Sequence, residues 1–178
     1  MSNGQSQPPR QGGGPGPRPG GGGPAHRPDR GPPPGGRPYG REESPTIDTT
    51  GIELRRPSPE LFDAIASRTA KTISEERQRN KPSQIRKFFD ELVMWEAKVS
   101  GGSSEADRQT RLDEALPFIR MLNAKGAYAE GRKLVDKNFQ TLLGHCLRQV
   151  EDPATLRHCK LFFEAFLGFY KAYRPSDN

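Results

Sequence analysis

Along the chain, apolar residues recur at steps of three and four in five separate stretches, and these steps predict helices. Ser58-Pro59-Glu60 supplies a cap residue, a proline at the first helical position and an acid in the first turn. Phe62, Ile65, Thr69 and Ile73 follow as a thin stripe, which places a weakly docked first helix up to about Arg77. Asn80-Lys81-Pro82-Ser83 punctuates the chain. Ile85, Phe88, Phe89, Leu92, Trp95 or Glu96, and Val99 then trace one face of a second helix, with Asp90, Glu91 and Lys98 on the other. Gly101-Gly102-Ser103 ends it, and Ser104-x-x-Asp107 caps a third helix lined by Leu112, Ala115, Leu116, Ile119 and Leu122. Pro117 is expected to kink or divide this helix.

The last two stripes are the most regular. Val135, Phe139, Leu142, Leu143, Cys146, Leu147 and Val150 form one, and Leu156, Cys159, Phe163, Phe166, Leu167 and Tyr170 the other, with Asp152-Pro153 restarting the chain between them. This pattern predicts a tight antiparallel helical hairpin. No stretch alternates β-branched residues between turn signals, so a sheet is not expected. The fold class read from the pattern is all-α, a small bundle of five to six helices over residues 58–174, with a short tail at 175–178.

Ahead of residue 58 the pattern fails, and composition explains why. Residues 1–40 hold 13 of the 20 Gly and 11 of the 18 Pro, in runs such as GGGPGPRPGGGGP with almost nothing to bury. Residues 1–57 therefore read as a disordered Gly/Pro/Arg-rich tail and linker. Charge divides at the same place. Arg10, Arg18, Arg27, Arg30 and Arg37 against Asp29 give residues 1–40 a balance of +4 out of +6, so the body carries only +2. Two readings of the tail stand side by side, an arginine-bearing arm that adds nonspecific RNA affinity and a solubilising segment.

Enzyme chemistry finds no constellation. His145-Cys146 and His158-Cys159 offer four zinc-type ligands, but adjacent helical residues point about 100° apart, and both thiols fall on apolar stripes. Core thiols with flanking surface imidazoles are the plainer reading, so no metal and no cofactor is expected. There is no Gly-x-Ser-x-Gly frame, P-loop or dinucleotide fingerprint. The absence of a signal-type or spanning apolar run, with only two cysteines, leads to the expectation of a cytoplasmic protein without membrane partners.

Anion binding remains. Arg77, Arg79, Lys81, Arg86 and Lys87 surround the start of the second helix, where free backbone N–H groups favour a phosphate. Lys125, Arg132, Lys133 and Lys137 form a second cluster around Tyr128, and on a helix Lys125, Tyr128 and Arg132 share a face. An ordinary solvated face, salted with Glu130 and Asp136, is the competing reading.

Three blocks, KPSQIRKFFDEL (81–92), LPFIRMLNAKGAYAEGRKL (116–134) and LFFEAFLGFYKAYR (161–174), occur in that order. Together they carry a Ser-x-Ile-Arg start, a Leu-x-x-Lys-x-x-Tyr-x-x-x-Arg core from Leu122 to Arg132, and a Phe-x-Glu-Ala ending in which Phe163 is followed directly by Glu164-Ala165. Over about residues 80–174 the chain thereby resembles the small subunit of type III-A CRISPR–Cas effector complexes, the Csm assemblies. The resemblance implies a non-catalytic protein that stacks in several copies along the inside of a ribonucleoprotein filament. It would border crRNA paired to target RNA and contact the backbone and large subunits. By motif, Arg86, Lys87, Lys125, Tyr128 and Arg132 would contact RNA, and Lys81, Lys133 and Lys137 adjoin them. Gly126 departs from the family's bulkier apolar residue, which predicts a looser helix beside Lys125. The tail has no counterpart in the family. A helical protein-interaction scaffold without direct RNA contact is the alternative function.

Overall fold

The computed structural model describes residue 16 and residues 46–175; of the expected disordered tail and linker at 1–57, all of 1–45 but residue 16 lies outside the described residues. The chain divides into two units, 1–41 and 42–178, and every helix among the described residues belongs to the second. A 3-10 turn at Pro59–Phe62 leads into five α-helices: α1 Ala64–Ser74, α2 Pro82–Ser100, α3 Glu105–Gly131, α4 Lys137–Arg148 and α5 Pro153–Tyr173. Among the described residues there is no strand.

Local chemistry sets most boundaries. The Ser104 hydroxyl accepts from the Asp107 N–H at 3.1 Å and opens α3, and the Asp136 carboxylate accepts from Phe139 N–H at 2.8 Å and opens α4. Asp152 and Thr155 close a reciprocal capping box ahead of Pro153. Pro117 does not divide α3, which runs unbroken for 27 residues. The exposed Pro117 ring removes one hydrogen bond, and the buried stripe of Leu112, Ala115, Ile119 and Leu122 holds the helix on both sides of it.

The core is one cluster to which every helix contributes. Its largest wholly buried side chains include Tyr170, Phe139, Phe162, Phe163 and Phe166. Helix α5 packs on α1 and α2, while α3 packs on α2 and α4. The last two helices are therefore not the tight hairpin their pattern suggested: α4 has α3 as its close neighbour. Small residues explain the choice. A Cβ on Gly126 would meet Leu143 Cδ2 at 3.1 Å, and one on Gly144 would meet Asn123 Oδ1 at 3.3 Å, so α3 and α4 approach closely through two glycines. The phenyl rings of α5 need more room. Gly126 thus tightens the packing beside Lys125 instead of loosening the helix.

Two further expectations change. Helix α1 buries Ala66, Thr69, Ala70 and Ile73, with Leu61 just ahead of it, whereas Phe62 and Ile65 are only partly covered. The stripe is small-sided, which lets α1 lie close on α5. The bundle also begins before residue 58. Ile52 and Leu54 are fully buried, and their carbonyl oxygens accept hydrogen bonds from His145 Nε2 at 3.0 Å and His158 Nδ1 at 2.8 Å. Gln149 adds a donor to Ile52 O and an acceptor for Leu54 N–H, both at 2.8 Å. A carbonyl can only accept, so each imidazole carries its proton on the nitrogen facing this segment. The histidines are half-buried fasteners for residues 52–54, not surface groups.

Candidate nucleic-acid interface

The two basic clusters, some fifty residues apart in sequence, meet at one end of the bundle. Asn80, wholly buried and left-handed at φ 57°, donates its N–H to Leu134 O at 3.0 Å and accepts from Asp136 N–H at 2.8 Å through its side chain. Asn tolerates this conformation better than most residues, and its amide replaces helix hydrogen bonds missing on either side. Its neighbour Lys81 and the neighbours of the bonded pair, Lys133 and Lys137, are thereby gathered at the junction of the α2 N-terminus with the α3–α4 connection. Lys133 is itself left-handed, at φ 59°, where it ends α3 and turns Leu134 inward.

The cationic groups differ in how far they are engaged. Lys81 and Lys87 are exposed, as is Lys133, while Lys137 is half-buried. Arg86 pairs with Asp90 at 2.7 Å and lies over the Phe89 ring at 5.3 Å. Lys125 is paired with Glu91 of α2, 2.7 and 2.8 Å from the two carboxylate oxygens. Arg132 lies over the Tyr128 ring at 5.6 Å and donates to its hydroxyl at 3.0 Å. Tyr128 is 64% exposed, so its ring offers a stacking face beside a guanidinium. Tyr128 and Arg132 are in contact as the helical spacing predicted, whereas Lys125 is drawn towards α2.

The start of α2 offers an anion less than expected. Pro82 has no N–H, and those of Gln84 and Ile85 turn back to Lys81 O at 2.8 and 3.2 Å. Side-chain cations, more than helix N–H groups, form this surface. A shallow cleft of about 280 Å³ adjoins them, lined by Pro82, Ser83, Arg86, Leu167, Tyr170 and Lys171. A larger one of about 580 Å³ lies at the other end of α2 and α3, and neither cluster lines it.

Beneath the surface lies a polar knot that sequence reasoning missed. Arg174 is 5% exposed, and its Nη1 sits among the carbonyl oxygens of Glu76, Arg79 and Asn80 at 2.8, 2.6 and 3.2 Å. Its Nη2 donates to Arg77 O at 2.6 Å. The Tyr170 hydroxyl donates to Asn80 O at 2.5 Å, and burial pushes its pKa up, which keeps that donor protonated. Glu76 closes the loop from its own side. Burial raises its pKa, but the N–H groups of Gln78 and Arg79 outweigh this and hold the carboxyl below the usual range.

Cys146 and Cys159 are buried free thiols. Burial pushes Cys159 up to about 12 and Cys146 well above the ordinary thiol value. Among the described residues no group of three or more His, Cys, Asp or Glu is placed to hold a metal ion. Phe162 is fully buried, and the Tyr173 hydroxyl lies 2.7 Å from Ser67 Oγ. A further aromatic surface forms where Trp95 stacks on the exposed Phe118 at 5.4 Å with the Lys98 ammonium over the indole.

Compared with known protein families, residues 56–176 match Csm2 Type III-A, a span that takes in the five α-helices and both basic clusters. The chain belongs to the Csm2 Type III-A family. It is accordingly a subunit of a type III-A CRISPR effector, and Csm2 membership implies interaction with the other Csm subunits. Comparison with curated proteins and with solved structures gave no match. The Csm2 match begins near Arg56, after the fastened residues 52–54. Among the described residues no helix is long and apolar enough to cross a membrane.

Proposed function

We propose that this Csm2 protein is a non-catalytic RNA-binding subunit. In this reading it stacks in copies along the inner side of the effector filament and steadies crRNA–target RNA pairing through sequence-independent backbone contacts. The observation that carries the proposal is the Asn80–Leu134 hydrogen bond, which turns two separate sequence clusters into one cationic end. Lys81, Lys87, Lys133 and Lys137 supply phosphate-directed charge there, Arg86 and Lys125 stand beside it in exchangeable ion pairs, and Tyr128 with Arg132 offers a stacking plane. Specificity comes from base pairing with the guide, so the protein needs only charge and shape.

Purification of the assembled effector tests this. The proposal expects guide RNA to travel with it, and expects combined Lys81→Ala, Lys87→Ala and Lys133→Ala substitution to weaken retention of target RNA while the subunit stays in the assembly. An intact assembly that holds target RNA equally well with the substituted subunit would favour a helical protein-interaction scaffold instead.

A further inference from the structure

We propose that Arg174, although it is buried and touches no ligand, is a positioning residue for the cationic end of the bundle; this rests on the RNA-binding reading above. Its guanidinium reaches the carbonyl oxygens of Glu76, Arg77, Arg79 and Asn80, which is most of the connection between α1 and α2. Among the described residues no carboxylate partners it. A buried guanidinium without a carboxylate depends on the number and direction of its oxygen acceptors, and here the acceptors are one short loop.

The consequence for the surface is electrostatic as well as geometric. Helix α1 ends at Ser74, and the carbonyls that follow it are the negative ends of peptide dipoles. Drawn inward onto Arg174, they are removed from the side where Arg77 and Lys81 are exposed. Tyr170 holds Asn80 O from the same helix end, and Asn80 passes the constraint to Leu134 and Asp136. One side chain at the end of α5 therefore fixes the loop before α2 and, through Asn80, its register against the α3–α4 connection. Arginine suits this role because its planar fork serves several acceptors at once, which a lysine ammonium cannot match in this geometry.

The test uses the full chain, with Arg174→Gln, Arg174→Lys and the milder Tyr170→Phe. Amide hydrogen exchange over residues 76–81 reads the clamp directly, and affinity for a single-stranded RNA oligonucleotide against salt reads its effect. Arg174→Gln is expected to speed exchange in that loop about tenfold or more while the α3 core stays protected. It is also expected to flatten the log–log salt slope by about one, as the cations lose their common placement. Arg174→Lys and Tyr170→Phe should fall between it and the wild type. Gln149→Ala, which loosens residues 52–54 at a distance, should lower stability without changing the slope. If Arg174→Gln does not fold, Tyr170→Phe decides by the same two readouts. Unchanged loop exchange overturns the clamp, and a loosened loop with unchanged affinity and slope overturns the positioning role. A wild-type protein without salt-dependent RNA affinity overturns the RNA reading and the positioning role with it, while the exchange data still report on the clamp separately.

Discussion

Lys125 on α3 and Glu91 on α2 form a two-oxygen ion pair, 2.7 and 2.8 Å from nitrogen to each carboxylate oxygen, at the edge of the cationic end. Both side chains remain partly solvated, at 49% and 34% exposure. Such a pair contributes roughly 0–1 kcal/mol to stability. Its larger effect is on charge, because Glu91 neutralises a cation that an RNA backbone would otherwise meet. Glu91→Gln should leave the melting temperature nearly unchanged, raise RNA affinity and steepen the salt slope by up to about one. Filter binding across a salt series checks this, and an affinity that falls would show that Lys125 needs its carboxylate in order to be placed.

Tyr128 separates stacking from hydrogen bonding. Tyr128→Phe loses only the 3.0 Å bond from Arg132, whereas Tyr128→Ala loses the exposed ring. The alanine variant should weaken binding to single-stranded RNA by about 1–3 kcal/mol, and the phenylalanine variant by much less. Fluorescence anisotropy with a short oligonucleotide distinguishes them.

Gly126 is set between two opposed effects. Alanine favours a helix over glycine by about 1 kcal/mol, yet its Cβ would stand 3.1 Å from Leu143 Cδ2, a methyl group that must shift. Gly126→Ala should therefore change stability little in urea unfolding. Gly126→Leu should destabilise by about 1–3 kcal/mol, because the closely packed α3 and α4 must part.

The thiols predict an alkaline limit. With Cys159 raised to about 12 and Cys146 raised as well, both remain protonated in the folded protein at pH values where an unfolded chain would ionise them. The folded state then binds more protons than the unfolded one, so stability falls as pH rises above the ordinary thiol range, by at most about 1.4 kcal/mol per pH unit for each thiol. The same burial predicts that a thiol reagent at mildly alkaline pH labels neither cysteine until denaturant is added. Rapid labelling of the native protein would contradict it.

Much of the fold was legible because its signals are local. Ser104 and Asp152 cap helices where the residues after them imply it, and the apolar stripes lie inside. Asp136, read as part of a solvated face, is instead the buried cap of α4. What escaped was set by distant partners. Ile52 and Leu54 lie in a polar stretch, yet both join the core, and His145, Gln149 and His158 reach back to hold their backbone. The pattern points to an α4–α5 hairpin that does not form, because hydrophobic periodicity says which face is apolar but not which neighbour covers it. Asn80 reads as punctuation and Arg174 only as the last residue of the terminal block, and their roles emerge only where α1, α3 and α5 converge. The signal that could have found Asn80 is the pairing of a left-handed-tolerant residue with a proline two positions on, a chain reversal that needs an anchor.

One cationic end formed from both clusters is the central claim, and the most direct measurement is affinity for single-stranded RNA as a function of salt. It should be made with two oligonucleotides of unrelated sequence, on the wild type and on the Lys81→Ala, Lys87→Ala, Lys133→Ala triple variant. A shared cationic end predicts the same negative slope for both sequences, flattened by about two in the triple variant. An affinity that ignores salt, or a slope left unchanged by the three substitutions, would contradict it.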